Sequence, residues 1–144
     1  MKALICCDCS AVGEFVLREA HKFLEAFPSA EIHVFSAIDM TVVSTAGMYN
    51  NTDAIKSLEE QAEKVNKWAQ RFFIGQKIEF STEVAYPTES ILEKVKSLNA
   101  DLLIMGTHGK TGLGRILIGS VAENVLRHVS CNTLIIPVKH LSNG

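Results

Sequence analysis

The chain has 144 residues, 47% apolar and 21% charged, and 14 Lys+Arg against 16 Asp+Glu leave a net charge of −2. That length suits one domain with a sizeable core, and the nearly balanced charge excludes the basic footprint of a general nucleic-acid binder. No apolar run approaches the roughly 20 residues of a membrane span, and the chain opens on a strand-like run without a signal-peptide pattern, so a cytoplasmic protein with no membrane partner is expected.

Residues 2–7 form an apolar run that predicts the first strand. Asp8 ends it, and Ser10 is placed to cap the helix that follows. Val16, Ala20, Phe23, Leu24 and Phe27 fall on one helical face, and Pro28 stops the helix. Cys6, Cys7 and Cys9 crowd the strand end, far in sequence from Cys131. Cys6-x-x-Cys9 has the spacing of a redox pair. Consecutive strand residues point to opposite faces, however, and a redox pair belongs at a helix start, so packing as small apolar residues is expected. No histidine or second cysteine pair lies nearby to complete a metal site.

Residues 31–38 predict the second strand. The connection over 39–50 has no clear period; it either folds over a ligand or covers the core edge. A long amphipathic helix is predicted over 53–74 from Ile55, Leu58, Ala62, Val65, Ala69 and Phe72, with Gly75 as its stop. Trp68 lies beside this stripe and is read as core rather than as a stacking platform. Ile78, Phe80, Thr82 and Val84 alternate with more polar residues, the pattern of an edge strand. Pro87 opens the third helix, which buries Ile91, Leu92, Val95 and Leu98. Leu102 to Met105 is a short apolar run ending at Gly106, the profile of a strand buried on both faces. Residues 133–138 make the last strand. Strands alternating with helices in this way predict an α/β fold, a single doubly wound five-stranded parallel sheet with helices on both faces. Ligands in such folds sit outside the carboxyl ends of the strands, where the winding direction switches.

The stretch after the fourth strand carries the chemistry. Glycines stand at 106, 109, 112 and 114, and Gly119-Ser120 opens a helix with Val121, Val125 and Val129 on its apolar side. Strand, glycine loop and helix start is the order that phosphate sites use: glycine lets backbone N–H groups approach an anion, and the helix start adds free donors and partial positive charge. A P-loop would need glycine at 104, which is Ile, and a dinucleotide fingerprint would need it at 117, which is Leu. What stands is Gly106-x2-Gly109-x9-Gly119-Ser120. In it Gly109 and the N–H groups of Gly119, Ser120 and Val121 can cradle phosphates, and Ser120 can add its hydroxyl. Lys110 and Arg115 either neutralise phosphate or are solvated loop charges. His108 is a base or cation ligand, or simply exposed. A carboxylate at Asp8 belongs near phosphates only if it binds a ribose hydroxyl or a cation; otherwise it is a cap.

This spacing, with the wording Gly-Thr-His-Gly-Lys-Thr-Gly-Leu and Gly-Ser-Val-Ala-Glu-Asn-Val-Leu-Arg around it, resembles the nucleotide-binding signature of the universal stress protein family. The resemblance covers the whole chain as one domain, 1–144. It implies the strand order 3-2-1-4-5, which sets Asp8 and Gly106 across one crevice. It also implies that Asp8 contacts the nucleotide with Cys7 and Ser10 beside it, and that Ala37 and Ile38 hold the base with Met105 on the other side. ATP with Mg or Mn is the implied cofactor, a homodimer through the last strand the implied assembly, and the downstream protein partner is left unnamed. Cys7 and Cys9 flanking Asp8, and Asn132 where proline is common, depart from the usual wording.

Paired carboxylates, a second acidic metal ligand and a supported nucleophile–histidine–acid order are all missing from the pattern. No catalytic residue and no metal ligand is therefore assigned. An ATP-binding stress-response regulator is the leading expectation, in which occupancy orders the loop over 109–119 and changes the surface shown to partners. A slow metal-dependent ATPase and a module that binds no nucleotide are the alternatives.

Overall fold

A computed structural model describes residues 1–45, 47, 51–107 and 118–138. Five parallel strands, β1 (Lys2–Cys6), β2 (Glu31–Asp39), β3 (Ile78–Ala85), β4 (Leu102–Gly106) and β5 (Asn132–Ile136), form one sheet in the order β3-β2-β1-β4-β5. This is the doubly wound order implied by the resemblance. β1 is central: Lys2 to Cys6 pair with Glu31 to Phe35 on one side, and Ala3 to Cys6 with Leu102 to Met105 on the other.

Helices α1 (Ala11–Leu24) and α3 (Thr52–Phe72) cover one face of the sheet; α4 (Pro87–Leu98) and α5 (Ser120–His128) cover the other. Alternate residues of β1 serve the two layers: Ala3 and Ile5 meet Val16, Leu17 and Val65, whereas Leu4 and Cys6 meet Ile91, Val95 and Val125. Fully buried side chains such as Leu17 and Ile104 each contribute about 1.5–3 kcal/mol of transfer free energy. Trp68 packs half-buried against the first layer, as expected.

The alternating strand is an edge, and none of its residues is fully buried. Two expectations are adjusted. Residues 40–45, left without an element, form a short helix, α2 (Met40–Thr45), begun by the Asp39 carboxylate accepting from the Thr41 N–H at 2.9 Å. Its Val43 is buried with Ile38 and Ala62. Phe23 and Phe27 are not on the core face of α1; each is about two-fifths exposed, and their rings pack against one another at 5.5 Å. The buried stripe of α1 runs through Gly13, Val16, Leu17, Ala20 and Leu24, which leaves Phe23 at its rim, and Phe27 lies beyond the last turn. Met48 and Tyr49, also on the 39–50 connection, lie outside the described residues.

Candidate functional site

The carboxyl ends of β1, β2 and β4 open into a crevice of about 490 Å³, well within the range of small-molecule sites. Cys7 and Asp8 reach it from the end of β1, Ala37 and Ile38 from β2, Met105 and Gly106 from β4, and Gly119, Ser120 and Val121 from the start of α5. These residues are scattered over more than a hundred positions of sequence and meet because β1 and β4 are neighbours. Gly109, with His108, Lys110 and Arg115, lies outside the described residues.

Ser10 stands behind the wall. It is the N-cap of α1, its hydroxyl accepting from the Gly13 N–H at 3.4 Å. Its own N–H donates to Asp8 Oδ1 at 2.9 Å, and its hydroxyl also donates to that oxygen. The capping role therefore belongs to Ser10. Asp8 is held by one oxygen, and Oδ2 meets no donor among the described residues.

The set of N–H donors expected from the sequence needs one change. The Gly119 N–H donates to the Thr107 carbonyl at 2.5 Å and is not offered to a ligand. The first hydrogen bond of α5 runs from the Glu123 N–H to the Gly119 carbonyl. Ser120, Val121 and Ala122 therefore have no acceptor four residues back within the helix, and their N–H groups are the donors at this end. Thr107 ties the region together: its N–H donates to the Ile136 carbonyl at 3.1 Å, and its hydroxyl accepts from the Val138 N–H at 3.3 Å.

Ala37 and Ile38 do not form one wall. Ala37 packs on the α4–α5 side with Met105, and Ile38 on the α2–α3 side with Ala62. They are consecutive strand residues, so their side chains must diverge. The crevice is accordingly lined from both faces. Val12, Gly13, Leu58 and Gln61 come from α1 and α3, and Pro87 and Ile91 from α4. Sequence periodicity had assigned Leu58, Ala62 and Ile91 to the core, and it carried no sign that their helices reach the strand ends. Gly13, a glycine in a first helical turn, was the one visible cue.

All four cysteines are free thiols. Burial pushes the Cys6 and Cys7 thiols well above the usual range, so their reactive thiolate forms are disfavoured. Cys9 donates to Gln61 Oε1 at 3.8 Å. Packing accounts for this group better than redox pairing does. Among the described residues no cluster of three or more His, Cys, Asp or Glu side chains is arranged for a metal ion, and no helix is long and apolar enough to cross a membrane.

An open, doubly wound parallel sheet with a crevice at its switch point, faced by a helix start, defines a Rossmann-like α/β domain. Residues 1–137 match the model of the universal stress protein family, and the chain belongs to that family. It is 32% identical over 140 residues to a universal stress protein of Methanocaldococcus jannaschii, covering 94% of this chain and 81% of that one. Against Universal stress protein E of Salmonella typhi the identity is 30%, over 88% of this chain but only 41% of that longer protein. Among solved structures, hypothetical protein MJ0577 superposes with a TM-score of 0.82 at 28% identity over 96% of both chains. A universal stress protein in complex with cAMP shares the fold with a TM-score of 0.66 at 22% identity, covering 95% of this chain and 96% of that one. The Archaeoglobus fulgidus protein in complex with dAMP shares it with a TM-score of 0.66 at 19% identity, covering 94% and 97%.

Proposed function

We propose that the protein is an ATP-binding stress-response regulator whose single domain, 1–144, takes the nucleotide in the crevice between β1 and β4. The observation that carries this reading is the start of α5, whose free N–H groups and exposed Ser120 open onto that crevice opposite Asp8. Nucleotides bound by relatives of the same fold support it. Phosphates would lie at Ser120 to Ala122 and the ribose at Asp8 Oδ2. A Mg or Mn ion would travel with the phosphates, since among the described residues the wall offers only the separate carboxylates of Asp8 and Asp39 to help hold it. Hydrolysis would be slow at most: the sequence offers neither paired carboxylates nor a supported nucleophile–histidine–acid order. The site of action would be the cytoplasm, with a protein partner reading the occupied state.

The direct test is to purify the protein, denature it, and identify any released nucleotide by chromatography and mass, with calorimetry on the stripped protein. No released nucleotide together with no ATP binding would end the proposal. Asp8→Ala should weaken ATP binding by about 1–3 kcal/mol, the scale of a lost hydrogen bond to a charged group. The melting temperature of the ligand-free protein should change little, because Ser10 remains to cap α1. A lowered melting temperature with unchanged affinity would show that Asp8 only holds the turn.

The proposed assembly is a homodimer through β5. This strand is an edge, and its Thr133, Leu134 and Ile135 are only half-buried. Ile136 offers its carbonyl to Thr107 on the β4 side, so the backbone groups of Ile135 point away from the sheet. Ile135→Pro thus removes an outer donor and spares the inner ladder, and light scattering should show a dimer becoming a monomer. An unchanged dimer would move the interface elsewhere. Charges at 134 and 136 would be a poor test, because both residues pack in the α1–α3 core layer.

A further inference from the structure

We propose that Gln61 on α3 reads the base: its side-chain amide donates a hydrogen bond to a ring nitrogen of the bound purine. This rests on the nucleotide reading above and names the residue that sets its base preference.

The placement follows from sheet order. Phosphates at the start of α5 lie over the end of β4, and Asp8 is at the end of the next strand, β1. The strand beyond is β2. A nucleotide laid across the strand ends therefore carries its base to β2, where Ile38 packs with Ala62 and Leu58 of α3. Leu58 and Gln61 are three residues apart on α3, share a helix face, and both line the crevice. An apolar wall with one amide beside it suits a flat heteroaromatic ring with a hydrogen-bonding edge.

The amide has a defined sense. Cys9 Sγ lies 3.8 Å from Gln61 Oε1, and a thiol donates where an amide oxygen accepts. That contact occupies the oxygen and leaves the NH₂ group with both its N–H donors. Asp8 and Asp39, the carboxylates on the neighbouring strand ends, offer acceptors only. They suit hydroxyls and an exocyclic amine but cannot donate to a ring nitrogen. Gln61 supplies a side-chain donor there. Cys9 is a positioning residue, fixing which end of the amide faces the crevice.

Calorimetry with ATP and with its 1-deaza, 3-deaza and 7-deaza analogues tests this on wild type, Gln61→Leu and the isosteric Gln61→Glu. One analogue is expected to bind wild type about threefold to tenfold more weakly than ATP, the scale of one neutral hydrogen bond. Both variants should bind ATP more weakly by a similar factor and no longer distinguish it from that analogue. A merely structural role for Gln61 would lower affinity for all four nucleotides alike and keep the deficit. A deficit that persists in both variants, no deficit in wild type, or undiminished ATP binding by Gln61→Leu overturns the assignment while the site itself stands. Failure of wild type to bind any of the four nucleotides removes both.

Discussion

Gly119→Val is expected to abolish measurable ATP binding and leave the fold intact. Gly119 is half-buried in the crevice wall and is the N-cap residue of α5, with φ −61° and ψ 157°. Those angles are open to any residue, so valine introduces no backbone strain. Its N–H stays bonded to Thr107, and its carbonyl still receives the Glu123 N–H. Exchange of an N-cap glycine for valine weakens the helix start by about 1 kcal/mol, a tolerable loss for a domain of ordinary stability. The ligand fares worse. A branched side chain beside Ser120 and Val121 fills the space through which an anion must approach their N–H groups. Affinity should fall at least about a hundredfold, or about 2.7 kcal/mol. Circular dichroism checks the fold, and calorimetry the binding. Gly119→Ser, a better cap with a small side chain, should keep more affinity than valine. Equal ATP affinity in wild type and Gly119→Val would remove the start of α5 from the site.

The sheet was legible because each strand type has its own pattern. The continuous run from Leu102 to Met105 marked a strand buried on both faces, and the alternation from Ile78 to Ala85 marked an edge. Asn99 adds a signal that was readable but unused: it ends α4 in the left-handed region at φ 53°, a conformation asparagine tolerates. Pattern alone left the strand order open, because a crossover carries no residue that names its neighbour; the family resemblance supplied it. Phe27 misled because helical spacing continues past the point where the helix stops, and Phe23 because it lies at the rim of the buried stripe of Gly13, Val16, Leu17, Ala20 and Leu24.

For the site, local motifs were visible and convergent walls were not. Gly106, Gly119 and Ser120 stand close to one another in sequence, and glycines spaced around a strand end and a helix start carry a recognisable chemical need. Leu58, Gln61 and Pro87 reach the same crevice from elements whose relation to β1 exists only in three dimensions. The N–H of Gly119 was misassigned for a similar reason: its acceptor, the Thr107 carbonyl, is set by how the chain closes back on the end of β4.

Gly13→Ala should destabilise the protein, although the same exchange in most helices does the reverse. Alanine in place of a helical glycine is ordinarily favourable by about 1 kcal/mol. Gly13 is the third residue of α1, and a Cβ there would sit 1.8 Å from the Asp8 carbonyl oxygen, 2.8 Å from its carbon and 3.0 Å from its nitrogen. All three atoms are backbone, so no side-chain rotation relieves the overlap. Either α1 must retreat from the sheet or the turn holding Asp8 must move. α1 is anchored by Val16, Leu17 and Ala20, each buried in the first core layer, so the turn is the part that gives. Overpacking of this kind opposes folding by about 1–3 kcal/mol, which for a domain of this size lowers the melting temperature by roughly 4–10 °C. The displaced turn carries Asp8 and the Ser10 contacts that orient its carboxylate. ATP affinity should therefore fall about tenfold even at temperatures where the variant is fully folded, one lost charge-assisted hydrogen bond being sufficient for that. Thermal melting without ligand and calorimetry well below the transition separate the two effects. A melting temperature equal to or above wild type would show that the β1–α1 turn yields freely, and with it would go the view that Gly13 keeps Asp8 in place.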